Sequence, residues 1–226
     1  MTGARAALAL AGLAALAVAA AFAGPADDRL TAHVVEHGVL VLVAAPLLVA
    51  AAPVRIALAL LPSGGRRALG RALHAPGTRL LSHPAAGLTA FTAVTVAAYV
   101  PAVLDATLRH PLLHGLAHAA LLWSAVLLWA PVVAVDPLPR RSGPITRVGV
   151  SLAAMTVMAV VGAILATSRS PLYAAYPDLA DQHAAGAIMW MVGMVAALPV
   201  LLGSAWHALA SEERRQRARD LHGAGG

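Results

Sequence analysis

Long apolar runs alternate with short polar connections along the whole chain. Six runs stand out, at roughly 6–24, 38–61, 84–104, 111–135, 148–167 and 184–210. A bilayer core takes about 20 apolar residues as helix, and each run is long enough. The runs are continuous and rich in Ala and Leu, without the alternation of a membrane barrel, so helices are predicted. The connections carry turn residues: Gly24-Pro25, Pro62-Ser63-Gly64-Gly65, His110-Pro111, Asp136-Pro137-Leu138-Pro139 and Ser170-Pro171. None leaves room for a soluble domain. The pattern predicts an all-α polytopic transmembrane bundle of about six spans. It divides into a first helix or signal sequence over 1–25, a five-helix membrane domain over 26–210 and a basic tail over 211–226. Arg5 and the Ala21-Phe22-Ala23 tripeptide also suit a cleaved secretory signal, which would leave five spans; the apolar stretch is long for one, and retention as a span is the expectation.

Composition agrees. Of 226 residues, 60% are hydrophobic and 12% charged, about half the charge of a soluble domain. The absence of cysteine removes disulfides, thiolate metal sites and thiol nucleophiles. The net charge of +6 comes from 16 arginines and no lysine. These arginines lie between apolar runs, so they point to membrane topology and not to nucleic acid. Thirteen fall on one side: Arg5, Arg55, Arg66, Arg67, Arg71, Arg79, Arg140, Arg141, Arg147, Arg214, Arg215, Arg217 and Arg219; the other side holds Arg29, Arg109 and Arg169. Basic connections stay cytoplasmic, so both termini are predicted inside a bacterial cell membrane, surrounded by its lipid.

The candidate chemistry is histidine. Of ten histidines, six fall toward the predicted outer face: His33, His37, His110, His114, His118 and His183. His33 and His37 share one helix face at i, i+4, and His114 and His118 repeat that spacing on another helix. Two such pairs can supply four nitrogens to one ion, and imidazole suits copper, zinc, iron and nickel. Ionisable groups at this depth are costly and mark function by default. His183 is a candidate fifth member; His110, His74, His83, His207 and His222 read as interfacial or solvated. Glu36, Asp105 and Asp181 are candidates to orient the imidazoles through their second ring nitrogen; Asp105 and Asp181 equally suit helix caps. Met155 and Met158 form a pair of candidate soft donors, for which core packing is the stronger expectation. Gly186 and Gly193 should let the last run approach a neighbour closely, and Pro46 and Pro53 should kink the second run below its histidines.

The segment Ala32-His33-Val34-Val35-Glu36-His37, followed by Ala45-Pro46-Leu47-Leu48, resembles the H-x-x-x-H…A-P signature of the CtaG-type cytochrome c oxidase assembly factors of bacteria. Further stretches resemble the same family in the same order: His83-Pro84, Pro101-Ala102-Val103-Leu104-Asp105, His110-Pro111-Leu112-Leu113-His114-Gly115-Leu116-Ala117-His118, Asp136-Pro137-Leu138-Pro139-Arg140-Arg141 and Asp181-Gln182-His183 with Gly186-Ala187-Ile188-Met189-Trp190. Departures are visible too. Ala98 and Tyr99 stand where members carry tryptophan and histidine, His183 stands at a glutamine, Ala117 at an often acidic position, and the chain looks one helix shorter at its N-terminus. The resemblance implies a non-enzymatic membrane factor, a copper chaperone for oxidase maturation, with oxidase subunits as partners. A homo-oligomer stays open. From the residues alone, a haem-binding membrane cytochrome b-like protein or a copper transporter remain alternatives.

Overall fold

The computed structural model describes residues 2–22, 28–139, 142–195, 198, 202–203 and 206. Among these there is helix and no strand. The chain opens with α1 (Thr2–Ala21). The second run forms α2 (Leu30–Val39), a π-helical turn (Leu40–Ala44), α3 (Ala45–Ala50) and α4 (Pro53–Leu60). A polar segment follows as α5 (Ser63–His74) and α6 (Pro76–Leu81). Then come α7 (Pro84–Ala98), α8 (Pro101–Arg109), α9 (Pro111–Val133) and α10 (Pro144–Thr167). A further helix, α11, occupies residues 179–195.

Four stretches among the described residues are long and apolar enough to cross a bilayer: Gly3–Ala21, Leu30–Leu60, Pro111–Val133 and Pro144–Thr167. The third run departs from the expected single span over 84–104. Its helix stops at Ala98, and α8 leaves at 74° to α7. Pro101 is the cause, since it has no N–H to bond the Ala97 carbonyl and its ring would clash there. Together α7 and α8 make a fifth candidate span. The last expected run, 184–210, is helical as far as residue 195, and most of its remainder lies outside the described residues.

The second run shows how its two prolines act. In the π turn the Ala45 N–H donates to the Leu40 carbonyl, an i to i−5 bond. The next donor in that register would be residue 46, which is proline. The orphaned Val41 carbonyl accepts instead from the Trp129 indole N–H of α9, at 2.8 Å. This bond pins the depth of α2 against α9, the two histidine-bearing helices. Farther along, Ala52 adopts a left-handed conformation (φ 59°) ahead of Pro53 and breaks the helix. The N–H groups of Val54 and Arg55, exposed by that break, donate to the Asp136 carboxylate at 3.2 and 3.0 Å.

The core lies between α2, α3, α7, α9, α10 and α11, and is built from Leu30, Val34, Val41, Phe91, Leu121, Leu128, Leu165 and their neighbours. α9 packs on α7 and α3, α10 on α7, and α1 on α3. The approach of α11 to α10 requires glycine on both sides. A Cβ on Gly186 would stand 2.5 Å from the Gly162 carbonyl oxygen, and one on Gly162 would stand 2.8 Å from the Gly186 carbonyl oxygen.

Candidate metal centre

The two histidine pairs come from the first turns of α2 and α9, and the structure brings them together. Each pair is spaced so that its rings meet edge to face along one helix face, with centroids 4.3 Å apart both for His33 and His37 and for His114 and His118. Across the helices, His33 stands 5.4 Å from His114 and 5.9 Å from His118, and His37 stands 4.9 Å from His118. His33 and His37 are buried; His118 is partly exposed. The potential ligand atoms of His33, His37 and His118 all lie within 4.8 Å of one another, and so do those of His33, Glu36 and His114. Nitrogens bound to one ion at about 2.0 Å stand roughly 3–4 Å apart, so small side-chain adjustments suffice to close a site.

The outer edges of the rings are held. The Nδ1 of His37 lies 3.1 Å from the Tyr99 hydroxyl, that of His33 3.5 Å from the Tyr176 hydroxyl, and that of His118 3.3 Å from the Glu36 carboxylate. The inner nitrogens meet each other, with 3.0 Å between the Nε2 atoms of His114 and His118. The Nε2 of His33 is buried and makes no hydrogen bond among the described residues. A buried nitrogen without a partner costs roughly 1–3 kcal/mol, a cost that a bound cation removes. The donor set, four imidazoles and one nearby carboxylate, fits a transition-metal ion of the kind imidazole prefers.

Glu36 thus turns away from its neighbour in sequence and reaches His118 on the facing helix. Asp105 and Asp181 bond backbone instead. Asp105 accepts from the Ala174 and Ala175 N–H groups, 3.3 Å each. Asp181 accepts from the Thr31 N–H at 3.3 Å and from its hydroxyl, satisfying the first turn of α2. His183 meets the Ser168 carbonyl at 2.9 Å and is in neither group of potential ligands. Met155 and Met158 are buried on α10. Met158 lines an apolar cavity of about 160 Å³ beneath His37, beside Thr95, Tyr99 and Met189.

The tyrosines carried no weight in the sequence, yet all three of the chain converge on this site. Tyr173 donates to the Tyr99 carbonyl at 2.9 Å and is buried with Tyr176 in the segment between α10 and α11. Burial, then the Asp105 carboxylate, pushes the Tyr173 phenol above its ordinary pKa. Gln182, fully buried, accepts from the Leu172 N–H at 2.7 Å and bonds Ser168, fixing the same segment from α11. The available signal was rarity: three tyrosines in 226 residues, all near the predicted outer ends of runs. One side of the site opens to a polar cleft of about 790 Å³ lined by Glu36, Asp105, Arg109, His114 and His118, so the α9 imidazoles can be reached from outside while those of α2 stay enclosed.

Comparison with known proteins gives this geometry a context. No solved structure matches the chain. Similar proteins occur in Mycobacterium bovis and Mycobacterium tuberculosis, each 28% identical over 207 residues, covering 83% of this chain and 31% of the relative. A Mycobacterium leprae protein is 31% identical over 188 residues, covering 75% of this chain and 28% of the relative. All three are described as uncharacterized proteins, and this chain spans about a third of their length. The family described as cytochrome c oxidase caa3 assembly factor matches residues 1–211. With nearly the whole sequence matched, the chain belongs to the cytochrome c oxidase caa3 assembly factor family.

Proposed function

We propose that this chain is an integral membrane protein that holds a copper ion as cargo at His33, His37, His114 and His118 and passes it on during maturation of the oxidase copper centres. The role is binding and transfer, without a catalysed reaction. The observation that carries the reading is the orientation of the imidazoles. Tyr176, Tyr99 and Glu36 take the Nδ1 atoms of His33, His37 and His118, so the Nε2 atoms are left for an ion, which would replace the contact between His118 and His114 and satisfy the unpartnered His33 nitrogen. The buried Glu36 carboxylate offsets one positive charge, which matches Cu(I) bound by neutral imidazoles in a low-dielectric setting. A site without thiolate releases its cargo more readily than a cysteine site. The arginine asymmetry supports an extracytoplasmic setting for this end of the bundle, with oxidase subunits as the partners.

Haem receives no comparable support. Four rings with centroids 4.3–5.9 Å apart leave no slot for a macrocycle between them. The test is metal analysis of the purified protein beside a His37→Ala, His118→Ala double variant, with oxidase activity measured in cells carrying each. Copper retained by the parent, lost from the variant and accompanied by a loss of oxidase activity is the expected result. Equal copper content in both proteins, or a Soret band in the parent, would sink the reading.

A further inference from the structure

The polar segment between α4 and α7 has a pattern that the metal centre does not use. From Val54 to Leu104 the sequence contains no acidic residue, but it contains Arg55, Arg66, Arg67, Arg71 and Arg79. Within α5 the residue types segregate by face. Ser63, Arg66, Arg67, Gly70, Arg71 and His74 fall on one side of the helix; Ala68, Leu69, Ala72 and Leu73 fall on the other. Neither α5 nor α6 has a buried residue, and Leu80 is 67% exposed. The arginines are exposed, and among the described residues none pairs with a carboxylate. Arg66 is committed to the Leu61 carbonyl at 2.9 Å, which leaves Arg67, Arg71 and Arg79 directed outward.

We propose that α5 and α6 form an interfacial platform, lying in the membrane surface with Leu69 and Leu73 toward the acyl chains and Arg67, Arg71 and Arg79 binding anionic phospholipid headgroups. Three observations select this occupant. The segment is tethered at both ends to apolar helices, α4 and α7, so it sits at the end of a span by connectivity. Its apolar strip is narrow and built from small and medium side chains, which suits shallow insertion. Its charge is of one sign, complementary to anionic lipid. The inference does not rest on copper binding.

The full chain, reconstituted in nanodiscs of phosphatidylcholine with or without phosphatidylglycerol, provides the test. Because the chain has no cysteine, single labels can be placed by Leu69→Cys, Leu73→Cys and Gly70→Cys. Labels at Leu69 and Leu73 should be quenched by a lipid-borne quencher and shielded from aqueous iodide, with the label at Gly70 behaving oppositely. The Arg67→Gln, Arg71→Gln, Arg79→Gln variant should retain about tenfold less phosphatidylglycerol than the parent, and the corresponding Lys variant should retain most of it. Equal iodide access on the two faces, or phosphatidylglycerol retention unchanged in the Gln variant, would overturn the proposal.

Discussion

At one end of α2 and α9, four imidazoles, a carboxylate and three phenols are packed against one another and cross-braced by hydrogen bonds from Tyr99 at the end of α7, Asp105 of α8 and the segment between α10 and α11. At the far end of the same second run, α5 and α6 carry arginines and leucines with no buried residue between them. Both ends are polar by composition, but they are stabilised differently. Polar groups in the first end are removed from water and need partners inside the protein. Those in the second are exposed and have no need of partners inside the protein. Substitutions should therefore act on the histidine end through lost partners, and on the basic end hardly at all.

That contrast can be broken at several points. The largest effect is expected from Glu36→Gln, which keeps the shape but removes the charge that faces His118. Copper affinity should fall about 10–100-fold, while the thermal stability of the metal-free protein holds or rises, because a buried carboxylate has been neutralised. Titration calorimetry and a melting curve on the same sample separate the two signs. Next is Gly186→Val. Its Cβ would meet backbone at 2.5 Å, so a loss of roughly 1–3 kcal/mol in stability is expected, along with loosening of the Gln182 and Tyr176 contacts that α11 supports. Trp129→Phe leaves the Val41 carbonyl without its indole donor and should cost about 1 kcal/mol. Copper affinity should fall too if the depth of α2 against α9 matters; an unchanged affinity would show that the histidines do not depend on this bond. The smallest effect is expected from Arg67→Gln with Arg71→Gln, within about 0.5 kcal/mol in stability and with copper binding unchanged. A loss of copper in that variant would join two regions that the structure keeps apart.

Four of the six expected runs coincide with helices long and apolar enough to cross a bilayer, because a bilayer sets one dominant criterion, about 20 apolar residues per helix. The run 111–135 matches α9 (Pro111–Val133) nearly residue for residue. The run 84–104 predicts one helix because Tyr99-Val100-Pro101 stays apolar through the bend, and hydropathy does not register the lost backbone donor of proline. The histidine pairs were legible for a similar reason. An i, i+4 spacing puts two rings on one face whatever surrounds the helix. Their partners were not. Asp105 and Asp181 have the composition of ligand-orienting carboxylates, yet bond the N–H groups of residues 174, 175 and 31. Which donor a carboxylate takes depends on which chain end or loop folds against it.

By itself the sequence determined that the chain is helical, which stretches are apolar enough to span a bilayer, that two helices each carry a face of two histidines, and that basic residues crowd one set of connections. Those are local or nearly local properties, governed by the 3.6-residue period and by hydropathy. Only the tertiary structure decided that the two histidine faces meet. It also decided that Tyr99, Tyr176 and Glu36 take their outer nitrogens, that Trp129 answers the carbonyl orphaned by Pro46, and that Gly162 and Gly186 let α10 and α11 touch. The partners in those contacts stand 24 to 143 residues apart, and their pairing follows from packing and from the need of each buried polar group for a partner.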